Sequence, residues 1–338
     1  MTQEDVRLWR PPMRSRALAL VLYLLAGCSP GLGASPKLHA DEQPLAAQPG
    51  FSETTLRAND GLDLYARAWA PQGVARGSFV IVHGLRDHGD RYRELARELN
   101  GRGIAVYAMD LRGHGRSEGA RVSVDRLDRY VGDLALLIDR VRERSEAPLF
   151  LFGHSMGGAI AARYAEQPGH SIDGLVLSAP ALRLFVSEIE ECGVNLLTDF
   201  SPEAPALALD MAKWSRQKEV ITQNERDPLV YQPAAPVMTA AALLEGARDA
   251  LHESPFIRVP LLVMHGGADG ITDPAGSKAF VERARSSDKT LRVYPGLYHD
   301  LWNEPERAAL TRDLVDWLNA RLPAVMPEAG GDDASGDD

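Results

Sequence analysis

Gly153-His154-Ser155-Met156-Gly157-Gly158 is the stretch on which the fold of this chain turns. It lies between a short apolar run, Leu149-Phe150-Leu151-Phe152, and a segment of helical character at 156–165. A serine with glycine two positions before and two after it can sit on a turn too tight for larger residues, which thrusts its hydroxyl forward. A helix beginning at Met156 points free amides and its positive dipole end at that hydroxyl. Such strings also occur by chance, and the bland alternative is a glycine-rich turn with an exposed serine. The strand before it and the helix after it select the chemical reading, with Ser155 as nucleophile.

Working outward, short apolar runs alternate with longer periodic ones. Strand candidates fall at 78–83, 104–109, 149–152, 174–178, 261–264 and 291–294. Each is rich in Val, Ile, Leu or Phe and bounded by Gly, Pro or Asp, as buried parallel strands are. Helical stretches fall at 90–100, 125–144, 156–165, 277–285 and 306–322. Asn59-Asp60-Gly61 marks a hairpin turn ahead of them. The alternation predicts a doubly wound, mostly parallel sheet, with its active site at the carboxyl ends of the strands. One interval breaks the rhythm, because the long gap before the strand at 261 holds apolar clusters but no clear strand. A gap of that length is an inserted element rather than a loop, and 181–250 is expected to form a helical cap over the catalytic edge.

A serine hydroxyl is a poor nucleophile until a base takes its proton. Folds with this elbow place the acid and then the base on loops after late strands, in the order Ser, Asp, His. Asp269 follows the strand at 261–264 and His299 the strand at 291–294, so Ser155, Asp269 and His299 are the expected triad. Asp273, Asp300 and His265 are the nearby alternatives: the first is shifted along its loop, the second adjoins the base, and the third is too close to its strand end. Negative charge on the attacked carbonyl oxygen needs donors, and the backbone N–H groups of Leu85 and Met156 are the candidates. His83 before them also reads as a satisfied core histidine.

These residues carry a family resemblance. His83-Gly84-Leu85 with Asp87-His88 and Arg91-Tyr92, the run 110–117 (Asp-Leu-Arg-Gly-His-Gly-Arg-Ser), the elbow, Asp288-Lys289-Thr290-Leu291 and Tyr298-His299 together resemble the monoacylglycerol lipase and lysophospholipase branch of the serine aminopeptidase-type α/β-hydrolases. The resemblance covers nearly all of 51–322 and weakens in the cap. It implies the α/β-hydrolase fold, a cofactor-free and metal-free mechanism through an acyl-enzyme on Ser155, and a single-chain lipid ester as substrate. The run 110–117 is widespread in the fold and is expected to brace the sheet edge. Arg86-Asp87 departs from the pattern, because many relatives have a small residue and then Glu. The larger Arg86 is expected to reshape the entrance of the leaving-group pocket.

The chain has 338 residues, 45% hydrophobic and 25% charged, with a net charge of −10. That balance excludes an electrostatic nucleic-acid binder, which needs clustered Lys and Arg. Arg14 and Arg16 precede an apolar run at 17–26 that ends in Leu25-Ala26-Gly27-Cys28. The run is too short to span a bilayer and has the parts of a secretory signal. It also resembles a bacterial lipobox, so 1–27 is expected to be a signal peptide and Cys28 lipidated, with Met13 as an alternative start. Ser29 favours the outer membrane over the inner, the alternative being a secreted or periplasmic protein. Residues 28–50 read as a flexible tether and 323–338 as a disordered acidic tail. With Cys28 modified, Cys192 has no partner for an intrachain disulfide.

Leu182, Leu184, Phe185, Val186, Ile189, Val194, Leu196, Leu197 and Phe200 give the start of the cap an apolar density that suits an acyl chain, about a third of them in contact with it. Membrane tethering beside such a cap favours monoacylglycerols or lysophospholipids over small polar esters. The rivals are a peptidase, amidase or small-ester hydrolase with the same triad, for which Glu188, Glu190 and Glu191 could grip a substrate amine, and a non-catalytic surface lipoprotein.

Overall fold

The computed structural model describes residues 50–323. The expected signal peptide, Cys28, most of the tether and nearly all of the acidic tail lie outside the described residues. Within them the chain opens on a hairpin of β1 (Gly50–Arg57) and β2 (Asp63–Ala70), paired from Gly50 opposite Ala70 to Arg57 opposite Asp63. The turn at 58–62 closes through the Gly61 amide on the Ala58 carbonyl, as the Asn-Asp-Gly signal requires. There follow β3 (Gly77–Val82), α1 (Arg93–Asn100), β4 (Ile104–Met109), α2 (Asp128–Arg142), β5 (Leu149–His154), α3 (Met156–Glu166) and β6 (Gly174–Ser178). The helix expected at 90–100 is broken: Gly89–Tyr92 forms a 3₁₀ turn and only Arg93 onward is α-helical.

Between β6 and the next sheet strand the insert runs through α4 (Glu188–Phe200), β7 (Pro205–Leu207), α5 (Met211–Trp214), α6 (Lys218–Arg226), β8 (Ala235–Pro236) and α7 (Val237–Glu253). It is helical in the main, with one addition to the expectation: β7 and β8 pair antiparallel as a minimal second sheet. Four residues of Pro and Ala in those five positions give no strand signal, so the pairing is imposed by tertiary contact. The chain then completes the sheet with β9 (Leu261–Gly266), α8 (Pro274–Arg283), β10 (Lys289–Tyr294) and α9 (Arg307–Asn319).

The large sheet has the order β1-β2-β4-β3-β5-β6-β9-β10, with β2 antiparallel to its neighbours and the strands from β4 to β10 parallel. Strand periodicity splits the core in two. Phe79, Ile81, Val106, Phe150, Phe152, Leu262 and Met264 face α1 and α9, while Val80, Val82, Leu149, Leu151, Leu261 and Val263 face α2, α3 and α8. Both faces are buried, which is why these strands read as continuous apolar runs. Parallel registry brings the ends of β3, β5, β6, β9 and β10 to one edge, with Val82 opposite Gly153, His154 opposite Ser178, and Ser178 opposite Met264. The loops that leave this edge carry residues 83–92, 155, 267–273 and 295–300.

The run 110–117 braces the sheet where it leaves β4, tying β2 and the turn after β3 together. Asp110 is buried and its carboxylate accepts from Arg67 Nη2 at 3.0 Å on each oxygen, from the Gly89 amide at 2.8 Å and from the Arg116 amide at 2.9 Å. Ser117 Oγ accepts the Tyr65 amide at 2.9 Å and donates to the Asp110 carbonyl. Arg112 grips Asp133 of α2 with two bonds of 2.6 and 2.7 Å.

Candidate active site

Ser155 sits between β5 and α3 with φ 55° and ψ −123°, a left-handed conformation that residues other than glycine rarely adopt. Neighbouring backbone holds it there: its amide donates to the Ser178 carbonyl at 3.0 Å, and its carbonyl accepts from Gly158 at 2.9 Å and Ala181 at 2.9 Å. Gly157 is the residue that lets the helix start so close to the sheet. A Cβ at that position would lie 2.2 Å from the Val82 carbonyl oxygen and 2.4 Å from that of His83. The turn after β3 is thereby pressed against the first residues of α3. Met156 is the first residue of that helix, so its N–H has no acceptor within the helix. Leu85 lies in the facing turn, and Gly84 beside it would place a Cβ 3.2 Å from that of Ser155.

Asp269 and His299 come together from the loops after β9 and β10. Gly266 makes their approach possible, since a Cβ there would lie 2.3 Å from the Tyr298 carbonyl and 2.5 Å from that of Leu297. His299 Nδ1 donates to Asp269 Oδ2 at 2.8 Å, and both side chains are buried. The same oxygen accepts from Thr272 Oγ1 at 2.8 Å and lies 3.1 Å from His265 Nε2, while Oδ1 accepts the amides of Ile271 and Thr272 at 2.8 and 3.0 Å. Burial alone would raise the Asp269 carboxyl. Charge on His299 and hydrogen bonds from His265 and His299 outweigh it and hold the group well below the usual carboxylate range.

The alternatives are otherwise engaged. Asp273 caps α8 through the Ala275 amide at 2.9 Å and pairs with Arg183. Asp300 accepts from Arg91 at 3.2 Å and from Asn303, and burial pushes its carboxyl up. His265 is spent on Ser277 Oγ at 2.7 Å and on Asp269. His83 accepts the Leu111 amide at 2.9 Å on Nε2, and burial pushes its imidazole down; it is the satisfied core histidine of the second expectation.

Ser155 and His299 open into a shared cleft. One wall is the turn Gly84, Leu85, Arg86, Asp87 with Arg91; the insert supplies Leu209, Met211, Trp214, Asn224 and Val230. This corrects the expected lining, because none of the nine apolar residues at 182–200 borders the cleft. Leu182 and Val194 are buried in the core, whereas Phe185, Ile189, Leu196 and Phe200 are exposed on and just before α4. The acidic trio is also elsewhere: Glu190 closes a capping box with Ser187, and Glu191 pairs with Arg248 at 2.6 Å.

Sequence reasoning also missed side chains that frame the reacting atoms. His154 lines the cleft with its ring 4.9 Å from that of His299, and burial together with that neighbour lowers its pKa to about 3, so it stays neutral there. Arg91 lies between Asp87 and Asp300, 3.4 and 3.2 Å away, and stacks over Trp214 at 4.7 Å. The Trp214 carbonyl in turn accepts the Asp300 amide at 2.9 Å, which ties the insert to the residue after His299. Among the described residues no group of three or more His, Cys, Asp or Glu side chains is arranged to hold a metal ion.

Residues 73–306 match the family model described as serine aminopeptidase, S33. The chain is 34% identical over 274 residues to the monoacylglycerol lipase of Mycolicibacterium smegmatis, covering 80% of this chain and 98% of that protein. It is 35% identical over 269 residues to the monoglyceride lipase of Homo sapiens, covering 78% and 88%. The crystal structure of Paleococcus ferrophilus monoacylglycerol lipase superposes with a TM-score of 0.68 at 32% identity, over 76% of this chain and 98% of that one. With that sheet order, elbow and cleft, the chain belongs to the serine aminopeptidase, S33 family of α/β-hydrolases, and monoacylglycerol lipases are among its relatives.

Proposed function

We propose that this chain hydrolyses carboxylic esters of single-chain lipids, monoacylglycerols or lysophospholipids, with Ser155 as nucleophile, His299 as base and Asp269 as its orienting acid. The observation that carries this reading is the buried Asp269–His299 pair opening, with Ser155, into a cleft whose insert wall is Leu209, Met211, Trp214 and Val230. In that arrangement His299 Nε2 takes the Ser155 proton as the hydroxyl attacks the ester carbonyl. The amides of Leu85 and Met156 hold the oxyanion, and His299 returns the proton to the departing alcohol. Water activated by the same imidazole then releases the fatty acid. The insert is the cap, and its apolar wall supports a fatty chain, whereas the acids that a peptidase would use on a substrate amine lie away from the cleft or are paired with Arg91.

Anchoring belongs to the same proposal. The signature Leu25-Ala26-Gly27-Cys28 supports a lipidated Cys28 that holds the enzyme at the bacterial envelope, at the outer membrane by virtue of Ser29. Cys28→Ser should then release the enzyme from the membrane fraction. The test of the chemistry is a panel of long-chain monoacylglycerol, lysophospholipid and short aryl esters, run beside Ser155→Ala. The variant should lose about 10⁶ in turnover. Hydrolysis of short aryl esters alone, or a wild-type protein that a fluorophosphonate does not label at Ser155, would refute the proposal.

A further inference from the structure

Arg86 occupies the third position of the turn 84–87, with φ 63°. That is the position glycine serves in type II turns, because an L side chain adopts it at a cost. The turn is weakly closed by its own backbone, the Asp87 amide reaching the Gly84 carbonyl at 3.4 Å. Its hold comes from the arginine side chain. Nε donates to the Tyr231 carbonyl at 2.5 Å and Nη2 to the Gln232 carbonyl at 2.7 Å, both in the insert, and Arg86 is only 7% exposed. Among the described residues no carboxylate pairs with this guanidinium, so its recorded bonds are spent on main chain far away in sequence.

The segment it grips is a strap, 227–232, between α6 and β8. Asp227 Oδ2 lies 2.9 Å from Nε2 of His88, just beyond the same turn, and Gln232 Nε2 donates to the Asn224 carbonyl at 2.9 Å. The strap presents Val230 to the cleft that Leu85 also lines. Displacing the strap therefore pulls on the residue that follows the Leu85 amide. A strained arginine, buried without a counter-charge, is costly to keep for shape alone; two carbonyls at the right distance give it a mechanical use.

We propose that Arg86 is a positioning residue that couples the insert to the oxyanion turn, so that the Leu85 amide is aimed at the reacting carbonyl only while the strap 227–232 is seated over the cleft. The inference rests on the proposed esterase chemistry. It assigns Arg86 to the aim of the donor, beyond the shape of the pocket entrance.

Arg86→Gly is the direct test, since glycine keeps the positive φ without strain and removes only the tether. In the full chain with p-nitrophenyl butyrate, kcat should fall about tenfold or more with KM changed less than about twofold, as for a misplaced transition-state donor. Arg86→Lys keeps one donor group within reach of the strap carbonyls and should recover part of kcat. Asp227→Ala loosens the strap independently, and the double variant should lose less than the product of the two single losses. A wild-type kcat in Arg86→Gly with only a lower melting temperature, or losses that multiply in the double variant, would overturn the coupling. Should the glycine variant fail to fold, Arg86→Asn takes its place, because asparagine tolerates the positive φ and is too short to reach the strap carbonyls, and a wild-type kcat in it overturns the coupling equally. Wild-type labelling of Ser155 by a fluorophosphonate separates the two failures: without it the esterase reading falls, and with it only the role of Arg86 is at stake.

Discussion

Asp269→Asn changes one atom and should silence the enzyme for a reason that can be worked out bond by bond. An asparagine side chain can place its amide nitrogen at either carboxylate position. At Oδ1 it would face the amides of Ile271 and Thr272, now 2.8 and 3.0 Å away, and donors would meet donors. The carbonyl oxygen must therefore take the Oδ1 position and the nitrogen the Oδ2 position, toward His299, His265 and Thr272 Oγ1. Thr272 can rotate its hydroxyl, but His299 can satisfy the new donor only by accepting on Nδ1. Its proton then sits on Nε2, and the imidazole that should take the Ser155 proton has none of the needed basicity on that side. A triad held in the wrong tautomer loses about 10⁴ in kcat, which is about 5.4 kcal/mol at about 1.36 kcal/mol per decade. The assay is steady-state hydrolysis of p-nitrophenyl butyrate, with circular dichroism to show that the fold persists. A loss of kcat smaller than about tenfold, in a folded variant, would mean that Asp269 does not set the tautomer of the base.

Two further outcomes follow from buried charge. Asp110→Ala removes the carboxylate that Arg67 and two backbone amides share, leaving a buried guanidinium short of its main partner; stability should fall by about 3–5 kcal/mol, or roughly 6–20 °C in melting midpoint, with kcat per folded molecule kept in a thermal-shift and activity comparison. Because the Asp269 carboxyl is depressed in the folded chain, its contribution to stability is complete above the unfolded value of about 3.9 and is lost as pH falls from there toward the folded value. The gap in melting temperature between wild type and Asp269→Asn should thus narrow from pH 6 to about pH 3, and a gap that stays constant would contradict the depressed carboxyl.

What could be read from the sequence was whatever is coded locally. The buried strands announce themselves as apolar runs because both faces of the sheet are covered, and the elbow is coded by glycines at fixed spacing about Ser155, although the contacts that demand Gly157 and Gly158 lie with the distant Val82, His83 and Pro180. The pairing of Asp269 with His299 was legible because their distances from strand ends follow from the topology. The wall of the cleft was not. Apolar density at 182–200 marks a helix without saying which way it faces, and α4 buries Val194 while leaving Ile189, Leu196 and Phe200 in solvent. The lining residues from the insert include Met211 and Trp214 at the two ends of the four-residue α5 and Leu209 and Val230 in loops, too short a set for a periodic signal. Arg91 was legible only as part of a motif and not for its place beside the cleft, for a related reason: its partner Asp300 lies 209 positions away, and no local pattern records such a pair.

That division has a mechanical counterpart. The triad hangs from strand ends locked by parallel registry and by carbonyl contacts too close for any Cβ, so its geometry belongs to the sheet. The insert reaches the same edge through a few polar ties: Trp214 to Asp300, Arg216 to Glu304, Asp227 to His88, and Arg86 to Tyr231 and Gln232. Each tie joins a loop of the catalytic edge to the stretch 209–232 that lines the cleft, whereas α7 at the end of the insert packs into the main core through Ala242, Leu243 and Ala250. An insert held in this way can change its apolar wall without disturbing the Asp269–His299 pair, which separates substrate choice from chemistry. The stretch 209–232 can also shift against the fixed α7, and the loops it would drag are those after β3 and β10, which carry the proposed oxyanion donor and the proposed base.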